Sequence, residues 1–312
     1  MRKKLILLAL AIAVTHAQAQ TSVSKYKDEV RKRAAIWNTA FAQTNGSRVL
    51  FKDPIGSFIF DSSLANTAPP ITVWYYRPDN VSPGTRVVFL MHGSTRTGQE
   101  ARDIGATYAK QHNFVLLAPE FSENNYPGDT YAFGNMIDTD GKLVLESKSA
   151  FGVIERVFDT VRHELRLRTE SYDILGHSAG GQFVHRLVLF APQSRFRRAV
   201  ASSPGRYALP VMSSRFPYGF KGSGLDSSVL ARAFSRDFVL VLGDRDTADR
   251  VREAEAMAQG GNRFARGLRF FAAATEEANA LKVPLAWRLR IAHGVDHSPN
   301  AAVQLGFEEL LR

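Results

Sequence analysis

The sequence predicts one α/β domain, a mostly parallel, doubly wound sheet with antiparallel opening strands. Two observations carry this. Short, nearly continuous runs of Val, Leu, Ile and Phe alternate with longer segments of helical apolar spacing, the pattern of strands covered by helices on both faces. No internal repeat, low-complexity tract or linker divides the chain, and 312 residues with 45% hydrophobic content suffice for a single large core.

Residues 1–19 read as a signal peptide. Arg2, Lys3 and Lys4 form a positive start, Leu5 to Val14 an apolar stretch, and Ala17-Gln18-Ala19 a small-x-small cleavage pattern. The apolar stretch falls short of the roughly 18 residues a membrane span needs, so export with cleavage near Ala19 is expected, leaving no stable membrane anchor. Residues 20–47 are expected to form an N-terminal helical segment, because Tyr26, Val30, Ala34, Trp37 and Phe41 recur at helical spacing. The main domain is expected over 48–312.

Three β-rich runs open it, Arg48-Val49-Leu50-Phe51, Ser57 to Phe60 and Ile71 to Tyr76, separated by Pro and Gly turn signals. Parallel strands are then predicted at Val87–Met91, Phe114–Ala118, Tyr172–Leu175, Ala199–Ala201, Phe238–Leu242 and Trp287–Ile291. Helices are predicted near 98–111, 152–167, 180–190, 248–258, 263–281 and 299–311.

The chain has no cysteine, which removes disulfides, thiol nucleophiles, Cys-type zinc sites and iron–sulfur clusters. Cleavage of the signal would leave 37 basic against 30 acidic residues. The distribution is uneven: Ile174 to Leu225 holds no acid, but includes Arg186, Arg195, Arg197, Arg198, Arg206, Arg215 and Lys221. No zinc finger, RNP or phosphate-loop motif accompanies these cations, so nucleic acid is not an expected partner.

In a parallel sheet, ligands sit outside the carboxyl ends of the strands, and four strand-end loops carry chemistry. Gly176-His177-Ser178-Ala179-Gly180 lies between a strand and a helix, as in the nucleophile elbow, where a tight turn thrusts a serine hydroxyl out of the sheet. Gly176 and Gly180 are small because a Cβ there would strike the neighbouring chain. Gly243-Asp244-Arg245-Asp246 offers a carboxylate to orient an imidazole; Asp246, further round the turn, is preferred to Asp244, although it or Thr247 also suits a helix cap. His293-Gly294-Val295-Asp296-His297 offers the imidazole that takes and returns a proton, with His297 preferred to His293. Those two histidines lack a third metal ligand nearby, so neither a metal nor a cofactor is expected. Met91-His92-Gly93-Ser94-Thr95-Arg96 offers oxyanion donors: the amide of Ser94, with Thr95 second, would act with that of Ala179. His92 is expected to brace this loop.

Ser178, Asp246 and His297 follow one another in the chain order of the α/β-hydrolase superfamily, which the sequence resembles from about Ile71 to Arg312. The signal, the GHSAGG run and Tyr131-Ala132-Phe133-Gly134-Asn135 look similar to its polyhydroxybutyrate-depolymerase-like esterases. The chain lacks the disulfides those depolymerases often carry and shows no added binding domain. The resemblance implies an α/β-hydrolase catalytic domain over 48–312 and acyl transfer to water through a Ser178 acyl-enzyme, on an ester or an amide. The implied partner is a small or oligomeric acyl substrate. Arg96, Arg206 and Arg215 would favour an anionic one, such as the substrate of the similar poly(aspartic acid) hydrolases; a solvated basic face beside a pocket for neutral esters is the alternative. A peptidase of this fold would usually add a propeller or a large lid, and a non-catalytic relative would have lost a triad member, whereas none is missing here.

Overall fold

A computed structural model of the chain describes residues 50–61, 68–137, 143–248 and 251–312. The expected signal peptide, the helical segment 20–47 and the start of the first β-rich run lie outside these residues. Leu50 and Phe51, from the end of that run, form a turn instead of a strand.

Eight strands form one sheet: β1 Ile55–Phe60, β2 Ile71–Tyr76, β3 Val87–Met91, β4 Val115–Glu120, β5 Tyr172–His177, β6 Phe196–Ser202, β7 Asp237–Gly243 and β8 Arg288–Ala292. Their order is β1-β2-β4-β3-β5-β6-β7-β8. The first two pairings, β1 with β2 and β2 with β4, are antiparallel; every later one is parallel. The helices are α1 Gly98–His112, α2 Ala150–Glu164, α3 Ala179–Phe190, α4 Ser227–Phe234, α5 Ala254–Gln259, α6 Arg263–Leu281 and α7 Pro299–Leu311.

The predicted fold class is therefore observed. β3 and β5 are buried along their whole length, as strands covered on both faces must be; this explains the unbroken apolar sequence of β3, whereas in β5 the buried Asp173 is paired with Arg86 and Arg197. Two details differ. α5 is a short helix, Ala254–Gln259, where 248–258 was expected. α4 was not anticipated, although Asp226 caps it in the usual way by accepting a hydrogen bond from the Ser228 amide.

The topology decides where a site can form. From β3 the chain crosses to β4 on one side and then returns to β5 on the other, so the loops leaving β3 and β5 diverge at a switch point in the strand order. Register brings the strand ends to one level: Met91 lies opposite Gly176, Gly176 opposite Ala201, Ser202 opposite Val241, and Gly243 opposite Ala292. The loops singled out from sequence thus leave neighbouring strands along one edge. Behind β5, all twelve residues of α3 are buried, and its polar side chains Gln182, His185 and Arg186, at helical spacing on one face, are hydrogen-bonded inside the protein. Among the described residues, no helix is long and apolar enough to cross a membrane.

Candidate active site

Ser178 stands between β5 and α3 with φ 57° and ψ −113°, a region that non-glycine residues avoid and that costs on the order of 1–3 kcal/mol unless neighbours enforce it. The enforcement is visible. The Ser178 amide donates to Ser202 O at 3.0 Å and the Gln182 amide to Ser178 O at 2.9 Å, tying the turn to β6 and starting the helix. A Cβ on Gly176 would lie 2.3 Å from Gly180 O, and one on Gly180 would lie 2.3 Å from Met91 O. The two glycines are required by close approach, as expected, and the second one presses the first turn of α3 against the exit of β3.

The side chains converge from three loops. Ser178 Oγ donates to His297 Nε2 at 3.0 Å, and His297 Nδ1 donates to Asp246 Oδ2 at 2.7 Å. The carboxylate is 2% exposed and the imidazole 28%. Burial opposes the charge on Asp246, but the hydrogen bond and charge of His297, with the charge of Arg263, outweigh it and hold the carboxyl below the usual carboxylate range. His177, the residue before the serine, packs its ring 4.6 Å from that of His297. Burial, then the charge of His297, pushes His177 down to about 3, so it stays neutral at physiological pH.

The alternative residues also pair. His293 Nδ1 donates to Asp244 Oδ2 at 2.9 Å, and the Gly294 amide donates to Asp244 Oδ1 at 2.7 Å. This second pair lies at the surface, and no hydrogen bond joins it to Ser178. The acid and histidine loops meet closely, since a Cβ on Gly243 would fall 2.3 Å from Val295 O.

Ala179 opens α3, so its amide is one of the helix's unpaired first donors. Ser94 and Thr95 form an exposed turn directly after β3, the strand end against which Gly180 packs. The elbow and this turn are therefore neighbours, and the Ala179 amide lies at the positive end of α3. His92 braces the loop: it is buried, its Nδ1 donates to Gly93 O at 2.9 Å, and its Nε2 accepts from the Phe121 amide at 3.0 Å. Burial pushes it down to about 4 and keeps it neutral.

The arginines do not form the cationic face that the linear charge pattern implied. Arg206 bonds both oxygens of Asp129, one at 2.7 Å, as well as Glu253 at 2.9 Å and Gln182 at 3.3 Å. Arg96 donates to Phe121 O at 2.8 Å and to Gly128 O, and pairs with Glu123 at 3.1 Å. Since Gly128 and Asp129 are consecutive, these two guanidiniums grip the loop after β4 from either side. Arg195 pairs with Glu155 and Asp159, Arg197 with Asp173, and Arg198 with Asp237. The acids absent from the window come from elsewhere in the chain. Arg215 and Lys221 lie exposed on one turn, where no ion pair engages them among the described residues.

Sequence reasoning missed Arg263, whose Nη1 donates to Asp246 Oδ1 at 3.0 Å. No local signal links it to a residue 17 positions earlier. Among the described residues, no group of three His, Asp or Glu side chains could hold a metal.

Poly(aspartic acid) hydrolase-1 from Sphingomonas sp. KT-1 is 35% identical to this chain, with a TM-score of 0.81 over 84% of this chain and 100% of that one. A poly(3-hydroxybutyrate) depolymerase from Bordetella parapertussis is 32% identical, with a TM-score of 0.77 over 80% and 86%. An S-formylglutathione hydrolase from Agrobacterium tumefaciens, 15% identical with a TM-score of 0.52 over 82% and 96%, shares the fold. No protein-family model matches the chain, and no curated protein matches it.

Proposed function

The chain belongs to the α/β-hydrolase superfamily, among its depolymerase-like esterases, and we propose that it is an exported serine hydrolase acting through a Ser178 acyl-enzyme. The observation that carries this is the continuous line of hydrogen bonds from Asp246 through His297 to Ser178, ending on a serine held at positive φ. Ser178 Oγ attacks the acyl carbon while its proton passes to His297 Nε2. The developing oxyanion is received by the amides of Ala179 and Ser94. Collapse expels the leaving group with the proton from His297. Water then attacks the acyl-enzyme, gives its proton to His297, and the second collapse frees the acid and restores Ser178. Asp246 fixes the tautomer and stabilises the imidazolium throughout.

The substrate proposed is an oligomeric acyl compound, with aspartate polymers as the first reading on the strength of the likeness to a poly(aspartic acid) hydrolase. Of the exposed cations in the acid-free window, Arg215 and Lys221 are left by the ion pairs to meet its carboxylates. A second reading, neutral esters such as hydroxybutyrate oligomers, is favoured by the saturation of Arg96 and Arg206 with protein acceptors. Export rests on the pattern of residues 1–19.

A fluorophosphonate probe should label the wild type and fail on Ser178→Ala. A hydrolysis panel of short neutral esters, hydroxybutyrate oligomers and aspartate oligomers at two salt concentrations separates the readings. Steering of an acidic oligomer weakens as screening shortens its range to about 8 Å at physiological ionic strength, whereas neutral substrates are indifferent. Preference for neutral esters with no salt effect selects the second reading.

A further inference from the structure

A buried carboxylate has two oxygens to satisfy, and in a triad only one of them faces the histidine. Oδ2 of Asp246 receives His297; Oδ1 receives Arg263 Nη1 at 3.0 Å, and the same nitrogen donates to Ala248 O at 2.7 Å. Arg263 is the first residue of α6, a helix capped by Asn262, whose side chain accepts from the Ala265 amide. The next amide, that of Phe264, donates to Asp246 O at 3.3 Å. The positive end of α6 thus lies behind the acid loop and holds it by main chain and side chain together. The Arg263 side chain is 17% exposed and the Asp246 side chain 2%, so water hardly screens the pair.

We propose that Arg263 is a positioning residue for the acyl-transfer site, acting through Asp246 to keep its carboxylate ionised and turned so that Oδ2 stays on His297 Nδ1. This rests on the triad reading above. The guanidinium also sets a limit on the pair: drawing the carboxylate's charge toward α6 weakens its hold on the imidazolium, so the imidazole returns its proton more readily. Besides Arg263 on α6, the ionisable groups on the elements that meet at His297 are these. From β5 comes His177, neutral through burial; from the acid loop come Asp246, Asp244 and Arg245; from its own loop come Asp296, which accepts from the Ser298 amide, and the surface His293.

The test uses the full chain with Arg263→Gln and Arg263→Lys, read by kcat and KM on a short activated ester, by the pH profile of kcat/KM, and by the rate of fluorophosphonate labelling. Near-UV circular dichroism reports the fold. Glutamine should lower kcat and the labelling rate on the order of 10- to 100-fold with KM little changed, the scale of a misplaced catalytic group. It should also move the acid limb of the profile to higher pH, because the protonated imidazole is no longer opposed. Lysine, which keeps the charge, should recover part of kcat and return the limb toward its native position. Arg263→Met, which keeps the packed stem, repeats the measurement if the glutamine variant loses its near-UV signal. A folded glutamine or methionine variant with an unmoved acid limb overturns the proposal, as does a lysine variant no faster than the glutamine one. Persistence of the label on Ser178→Ala would instead overturn the triad reading itself.

Discussion

Two Asp–His pairs bridge the same two loops. Asp246 with His297 and Asp244 with His293 have similar N–O distances, 2.7 and 2.9 Å. Their surroundings differ. Asp246 is 2% exposed and Asp244 30%; His297 is 28% exposed and His293 87%. The inner pair has a serine hydroxyl on its far nitrogen and an arginine on its far carboxylate oxygen, whereas the outer carboxylate spends its second oxygen on the Gly294 amide. The lesson is that a carboxylate–imidazole hydrogen bond is common chemistry. It becomes machinery when one end meets a nucleophile and the other is sealed from water. The outer pair is better described as a clasp joining the acid loop to the histidine loop.

The contrast is broken most sharply by removing each imidazole. Ser178→Ala and His297→Ala should each reduce hydrolysis of a short activated ester by about 10⁴- to 10⁶-fold, because the two act as a unit. His293→Ala should stay within about tenfold, since loop placement alone is touched. Equal losses in the two histidine variants would erase the distinction.

The acids come next. Asp246→Asn presents the wrong hydrogen-bonding group to the imidazole, and about 10⁴-fold is the scale measured for that change in chymotrypsin-type triads. Asp244→Asn should cost less than tenfold, roughly a 1.4 kcal/mol effect on the barrier. Should Asp244→Asn prove the more damaging, the inner and outer assignments are reversed.

Acid stability sharpens the same contrast through burial. His92, His177 and His185 are all buried, and burial is the main cause holding each below the ordinary histidine value. Their folded forms stay neutral while the unfolded chain takes up protons below about pH 6.5, so folding stability falls as pH drops through that value. Three protons at about 1.4 kcal/mol each give a slope on the order of 4 kcal/mol per pH unit until the folded values are reached. Asp246 adds to the loss only below about pH 3.9, because its folded carboxyl is depressed and its contribution is complete above the unfolded value. Thermal melts between pH 7 and 4 measure the slope. A flat profile would mean that the buried imidazoles take up protons in the folded chain as readily as in the unfolded one, which would overturn this reading.

The smallest expected effect concerns the exposed turn. Arg215→Ala and Lys221→Ala should leave neutral-ester rates alone and, if the substrate is an aspartate oligomer, raise its KM by a few-fold at low salt, the size expected of exposed ion pairs. Arg206→Ala should act differently, lowering the melting temperature, because it releases Asp129, Glu253 and Gln182 together.

Much of the fold was legible because its signals are local. β2 and β3 begin and end where apolar runs do, and α3, α6 and α7 coincide with their predicted spans to within a residue. The elbow was legible because strand, turn and helix must be consecutive there. α4 was missed, although Asp226-Ser227-Ser228 carries a readable cap. The cationic window misled because it counted charge along the chain: Arg195, Arg197, Arg198 and Arg206 meet Glu155, Asp173, Asp237 and Asp129, residues 24 to 77 positions away.

What the sequence determined by itself was the order of elements and the residue types at each strand end, since hydrophobic period, turn glycines and the elbow are properties of a few consecutive residues. Tertiary structure decided which acid and which histidine face the serine, which arginines are already occupied, and that α6 delivers Arg263 to the far side of Asp246. These depend on distances through space between loops whose separation in sequence, 17 to 119 residues, places no limit on how near they come.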